Sequence, residues 1–144
     1  MVLPGSRRGE VSRLLKPFEG AARLLAERVS GLRVVIPAPP LVADIIRKRI
    51  KSWPGDPVVV DAGERYDAYA AADAALAKSG TVTTELAINR TPMVVAYKVD
   101  PLTAFWARRV MTTPFVTILN VAANRFVVPE LIQEQCEPAL LAGA

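Results

Sequence analysis

Two short stretches of this 144-residue chain combine residue types suited to holding anions. The first is Leu3-Pro4-Gly5-Ser6-Arg7, between an apolar pair and the start of a helical pattern. Glycine lets backbone approach a ligand closely. The hydroxyl of Ser6 and the free amides at a helix start hold an anion, and Arg7 can fork onto phosphate oxygens. The second is Ser79-Gly80-Thr81-Val82-Thr83-Thr84-Glu85, another small, hydroxylated turn opening a helix. Glu85 lies one turn in, where a carboxylate can accept both hydroxyls of a ribose. Each stretch also has a plainer reading. The first is a tight turn, and the second a capping box with Thr81 at the cap and Thr84 or Glu85 closing it. Two such turns together suggest a ligand with a diphosphate and a ribose. Neither is a Walker loop or a full G-x-G-x-x-G fingerprint. Prolines follow Ile36, where a dinucleotide-binding fold would hold its ribose with an acid, which argues against NAD.

Composition removes other chemistries. The chain has no histidine, which excludes Ser-His-Asp and Cys-His nucleophilic sites and imidazole-dependent zinc sites. Its one cysteine, Cys136, forms neither a thiolate cage nor an internal disulfide framework, and fits a reducing compartment. Basic residues exceed acidic ones by four and cluster at Arg7, Arg8, Arg13 and Lys16, at Arg47 to Lys51, and at Arg108-Arg109. Such an excess suits phosphate ligands or an anionic surface, or simply solvated helix faces. With 6% aromatics and no aromatic–basic interleaving, nucleic acid is not expected as a partner. Apolar residues make up 51% and charged residues 22%, which is a single folded domain over residues 1–144. Apolar runs are too short for a membrane span, and Pro4, Gly5 and Arg7-Arg8 break any signal-peptide pattern.

The elements that must position these residues alternate. Val2-Leu3 is a short strand that looks cut off at its N-terminal side. A helix follows over Glu10–Val29, with Pro17 as a kink or reset and Gly31 as a stop. Leu32–Ile36 reads as a strand, Leu41–Lys51 as a helix, Val58–Asp61 as a strand and Arg65–Ala71 as a helix. Ala72–Ala77 reads as a weak strand, Val82–Asn89 as a helix, Met93–Tyr97 as a strand and Pro101–Met111 as an aromatic, basic helix. Phe115–Leu119 reads as a short strand or extended segment, and Pro129–Gln135 as a helix. Alternation of this kind predicts an α/β fold, a Rossmann-like open parallel sheet with helices on both faces. Ligands then bind outside the carboxyl ends of the strands, where both anion-suited turns lie.

Four motifs stand in one order: LPGSR at Leu3–Arg7, SGT followed by a glutamate at Ser79–Glu85, PMVVAYK at Pro92–Lys98, and N-x₉-E-x-x-Q at Asn120–Gln133. Together they resemble the lipid-A-disaccharide synthases, over essentially the whole chain. The resemblance implies the C-terminal, UDP-sugar-binding half of a GT-B glycosyltransferase, with the N-terminal acceptor half and the general base elsewhere. It implies transfer of 2,3-diacylglucosamine from UDP-2,3-diacylglucosamine to 2,3-diacylglucosamine 1-phosphate, releasing UDP by inverting displacement. No metal and no cofactor are expected. Carried over by position, Arg7 would contact the diphosphate, Gly5 and Ser6 would let the loop approach it, and Ser79, Gly80 and Thr81 would line the phosphate site. Glu85 would hold the ribose, while Asn120 and Gln133 would face the cleft and position the donor. Arg7 and Asn120 are the catalytic candidates, and Lys78 receives no role. The implied location is cytoplasmic, peripheral at the inner face of the cytoplasmic membrane. Partners are the N-terminal half of the same enzyme, an anionic membrane surface touched by the Pro101–Phe115 segment, and a second copy of the chain.

Two alternatives remain at this level. One is another nucleotide-sugar enzyme domain of the same architecture, although an epimerase would need a histidine. The other is a non-catalytic Rossmann-like interaction module.

Overall fold

A computed structural model describes residues 1–110 and 113–144. Six parallel strands, β1 (Val2–Leu3), β2 (Val35–Ala38), β3 (Val58–Asp61), β4 (Ala75–Lys78), β5 (Met93–Tyr97) and β6 (Glu130–Ile132), form two ladders. One has the order β1-β4-β5-β6 and the other is β2-β3. β2 lies beside β1, so the strands read across as β3-β2-β1-β4-β5-β6. That is the order of a doubly wound nucleotide-binding sheet, reversing direction between β1 and β4.

The alternation of side chains assigns the helices to faces. Val2, Leu76 and Ala96 share one core cluster with Val11, Leu14, Leu15 and Phe18 of α1 (Arg8–Arg28), Val42 and Ile46 of α2 (Pro40–Arg49), and Leu141 of α7 (Pro138–Gly143). Their neighbours Leu3, Ala75, Ala77, Met93 and Val95 share the other with Tyr69 of α3 (Arg65–Ala71) and Leu86 of α4 (Thr81–Ile88). Helices therefore cover both faces, as the sequence predicts. α1 packs closely on α7, where a Cβ on Gly20 would stand 2.5 Å from Pro138 Cγ.

α1 stays one helix through Pro17, because residues on both sides of it, Leu14, Leu15, Phe18 and Ala21, bury against the same core. α5 covers Pro101–Val110; the expected helix end at Met111 lies outside the described residues, as do the side chains of Ala107 and Arg108. Asp100 caps α5 by accepting from the Thr103 amide at 2.9 Å and its hydroxyl at 2.7 Å.

Two segments differ from the sequence expectation. Pro129–Gln135 is not a helix: Glu130–Ile132 is edge strand β6, followed by a single 3₁₀ turn over Gln133–Gln135. Pairing with β5 decides this, starting at the Val95 amide, which donates to the Pro129 carbonyl at 2.9 Å. Leu119 is helical rather than extended, in α6 (Ile118–Ala123), because Thr117 caps that helix by accepting from the Asn120 amide.

Candidate functional site

A cleft of about 460 Å³ opens at the carboxyl ends of β1 and β4, where the strand order reverses. Its size is that of a small-ligand pocket, and its place is where open parallel sheets bind ligands. Gly5, Ser6, Arg7, Gly80, Thr81 and Glu85 line it, joined by Glu10, Arg65, Tyr69 and Lys78. Pro37 and Pro39, at the end of β2, form an apolar wall.

The floor of the first turn is built by Glu10, which sequence reading leaves out. α1 starts with a capping arrangement in which Glu10 Oε2 accepts from the Ser6 amide at 3.1 Å and the Arg7 amide at 3.3 Å. Its Oε1 pairs with Lys78 Nζ at 3.2 Å and Arg7 Nη1 at 3.5 Å. Burial pushes the Glu10 carboxyl up, but the Lys78 ammonium and the two amides outweigh it and hold the group below the ordinary value. Gly5 adopts φ +112°, and a Cβ there would meet Glu10 Oε2 at 2.6 Å. The turn therefore wraps a carboxylate, and the two cations paired with it, Arg7 of the turn and Lys78 at the end of β4, line the cleft. Arg7 is 81% exposed at its side chain, so its guanidinium is available to a ligand.

The second turn contributes differently. Gly80 precedes α4, whose third amide, on Thr83, donates to the Gly80 carbonyl at 3.1 Å. Thr83 Oγ1 donates to the same carbonyl at 2.7 Å. The amides of Thr81 and Val82 fall in the first turn, where helical geometry offers no acceptor. Ser79 turns away: it is buried and donates to the Val116 carbonyl at 2.9 Å. Thus Gly80 and Thr81 line the cleft, and Ser79 anchors the 115–117 segment behind it.

At the far end Glu85 Oε2 accepts from Tyr69 OH at 3.0 Å and lies 3.6 Å from Arg65 Nε. The Arg65 guanidinium lies 4.4 Å from the Tyr66 ring centroid, and Tyr66 meets Tyr69 edge-on at 5.7 Å. One wall thus carries the cations Arg7 and Lys78, and the other a carboxylate held in place.

The profile of the family described as lipid-A-disaccharide synthetase matches residues 1–144. The chain belongs to that family. It is similar to the lipid-A-disaccharide synthase of Paramagnetospirillum magneticum, with 48% identity over 99% of this chain and 37% of the relative. It is also similar to those of Gluconobacter oxydans, with 46% identity over 99% of the chain and 34% of the relative, and Granulibacter bethesdensis, with 43% over 99% and 37%. The chain spans a little over a third of the length of these curated relatives.

Within this synthetase-family chain, Asn120 and Gln133 do not join the cleft. Asn120 is fully buried, and its side chain is taken by backbone. Oδ1 accepts from the Val127 and Val128 amides at 2.7 and 3.0 Å, and Nδ2 donates to the Val128 carbonyl at 2.9 Å. Gln133 accepts from the Val99 amide at 2.8 Å and donates to the Val99 carbonyl at 3.3 Å, beside a second hollow that also touches Arg13, Lys98 and Phe105. Its φ is +53°, a left-handed conformation at the end of β6. Glu130, between them in the motif, accepts from the Val116 and Thr117 amides at 2.9 and 2.8 Å. Lys78, Tyr69 and Glu10 are the cleft residues that sequence reasoning missed, while Arg65 ends the Asp61–Arg65 stretch that follows a strand and so falls where ligands are expected. Lys78 carried a usable signal, since it ends a strand at the switch point.

Proposed function

We propose that this chain is the UDP-sugar-binding domain of a lipid-A-disaccharide synthase. The observation carrying this reading is the cleft at the strand-order reversal, lined by the Gly5–Arg7 turn on one side and Glu85 on the other. In it Arg7 and Lys78 meet the diphosphate of UDP-2,3-diacylglucosamine, with the first amides of α4, and Glu85 accepts from the ribose hydroxyls. The acceptor is 2,3-diacylglucosamine 1-phosphate. Its hydroxyl attacks the anomeric carbon, the bond to UDP breaks with inversion, and charge gathers on the departing diphosphate. Arg7 is the catalytic candidate on this chain, because preorganised cations act most strongly where charge develops. Asn120 acts at one remove, by holding the 127–128 backbone.

The acceptor-binding half of the same enzyme supplies the base that deprotonates the acceptor. The enzyme works at the inner face of the cytoplasmic membrane. There the exposed Leu102, Phe105, Trp106 and Val110 of α5, with Arg109 alongside, suit an anionic interface, and a second copy of the chain is a further partner.

The test is thermal unfolding with UDP, with ADP as control. At 100 times its dissociation constant UDP adds about 2.7 kcal/mol of stability, and ADP adds less. Equal response to both nucleotides, or no response in the folded chain, overturns the reading and favours a non-catalytic interaction module.

A further inference from the structure

Tyr69 is a tyrosine where packing alone asks for a phenylalanine. Its ring sits in the second core cluster with Leu3, Ala77 and Leu86 and is 2% exposed. Its own carbonyl accepts from Thr91 Oγ1 at 3.2 Å, which ties the end of α3 to the segment after α4. A ring held this way cannot swing. Its hydroxyl emerges at the cleft wall and makes one hydrogen bond, to Glu85 Oε2. Arg65 approaches the same oxygen. Among the described residues no donor contacts Oε1, and Glu85 lines the cleft.

We infer that Tyr69 is a positioning residue that fixes the Glu85 carboxylate for the paired hydroxyls of a ribose, and so selects ribonucleotides over deoxyribonucleotides. The inference rests on the UDP-binding reading above and deepens it. An ionised carboxylate has about four acceptor sites. With Oε2 facing Tyr69 and Arg65, Oε1 and its two acceptor sites remain for two neighbouring hydroxyls. Without that tether, Glu85 is a partly exposed glutamate held only by the longer Arg65 contact, its terminal torsion is broad, and ordering it on binding weakens the complex. Burial first, and then the neighbouring carboxylate, push the phenol well above its ordinary range, so it remains a donor throughout the physiological range. Arg65 reinforces the placement by opposing the charge of Glu85.

Titration calorimetry with UDP and 2′-deoxy-UDP tests this, using the chain, Tyr69→Phe and Glu85→Gln. The unaltered chain is expected to prefer UDP. Tyr69→Phe is expected to weaken UDP about tenfold, a loss of about 1.4 kcal/mol, while leaving 2′-deoxy-UDP within about twofold. Glu85→Gln, at a partly exposed position, is expected to erase the preference as well and keeps the test decisive should Tyr69→Phe not fold. Equal weakening of both nucleotides by Tyr69→Phe marks a purely structural tyrosine and overturns the inference. So does a preference that survives Glu85→Gln, or UDP binding unchanged in Tyr69→Phe. Failure of the unaltered chain to bind UDP instead overturns the reading beneath it.

Discussion

The two polar clusters, around Gly5–Arg7 and around Asn120–Gln133, differ in what they leave over. Around Gly5–Arg7, Glu10 takes the loop amides and pairs with Lys78, and the Arg7 side chain remains at the surface. Around Asn120–Gln133, the side chains of Asn120, Glu130 and Gln133 are themselves spent on loop backbone. The first cluster ends with a largely exposed guanidinium beside a cleft, and the second closes on itself. Both clusters serve loop backbone with side chains, and only the first also sets a charged side chain, largely exposed, beside a cleft. Here Glu10 serves the loop amides, and Arg7, paired with it at 3.5 Å, keeps its side chain 81% exposed.

The sharpest way to break this comparison is to truncate one residue on each side. Asn120→Ala strips partners from three backbone groups, the Val127 and Val128 amides and the Val128 carbonyl, at a fully buried position. Because that backbone is only part-buried, the roughly 1–3 kcal/mol of an unsatisfied buried group does not apply three times over, and the change should destabilise the fold by about 1–3 kcal/mol in urea unfolding. A small stability loss with a large loss of UDP affinity would move Asn120 to the ligand. Arg7→Ala should do the reverse. With an exposed side chain it should leave urea stability within about 0.5 kcal/mol, yet weaken UDP roughly ten- to a hundredfold by calorimetry. Unchanged UDP affinity would remove Arg7 from the site.

The smallest effect tests the service Glu10 performs. Its carboxyl is held below the ordinary value of 4.5, so its stabilising contribution is present above that pH and is lost as pH falls through the lower folded value. Urea midpoints of the chain and of Glu10→Gln should therefore differ at pH 7 and converge on acidification below about 4.5. A gap that stays constant with pH would mean that Glu10 acts without its charge.

The same contrast explains what the sequence showed of itself. Val58–Asp61, Arg65–Ala71 and Met93–Tyr97 are legible at their ends, because apolar runs and punctuation agree locally. Both anion-suited turns are legible because glycine and hydroxyl residues mark them. β6 is not, since three residues become a strand only beside β5. Tyr69 and Glu85 stand sixteen positions apart, and the pair exists only once α3 and α4 lie on one face. Asn120 reads as a cleft residue by position, while the loop it clamps is seven and eight residues further on.

Gly5 has a consequence for how this chain can vary over time. Its left-handed backbone and the carboxylate beneath it each shut out a side chain, so drift at position 5 is barred twice. Gly63, one position past the cleft residue Ala62, would meet nothing within 4 Å. Position 5 is closed to any side chain, whereas position 63 is open ground, where a descendant of this chain can add one beside the cleft residue Ala62 without disturbing the Gly5 turn.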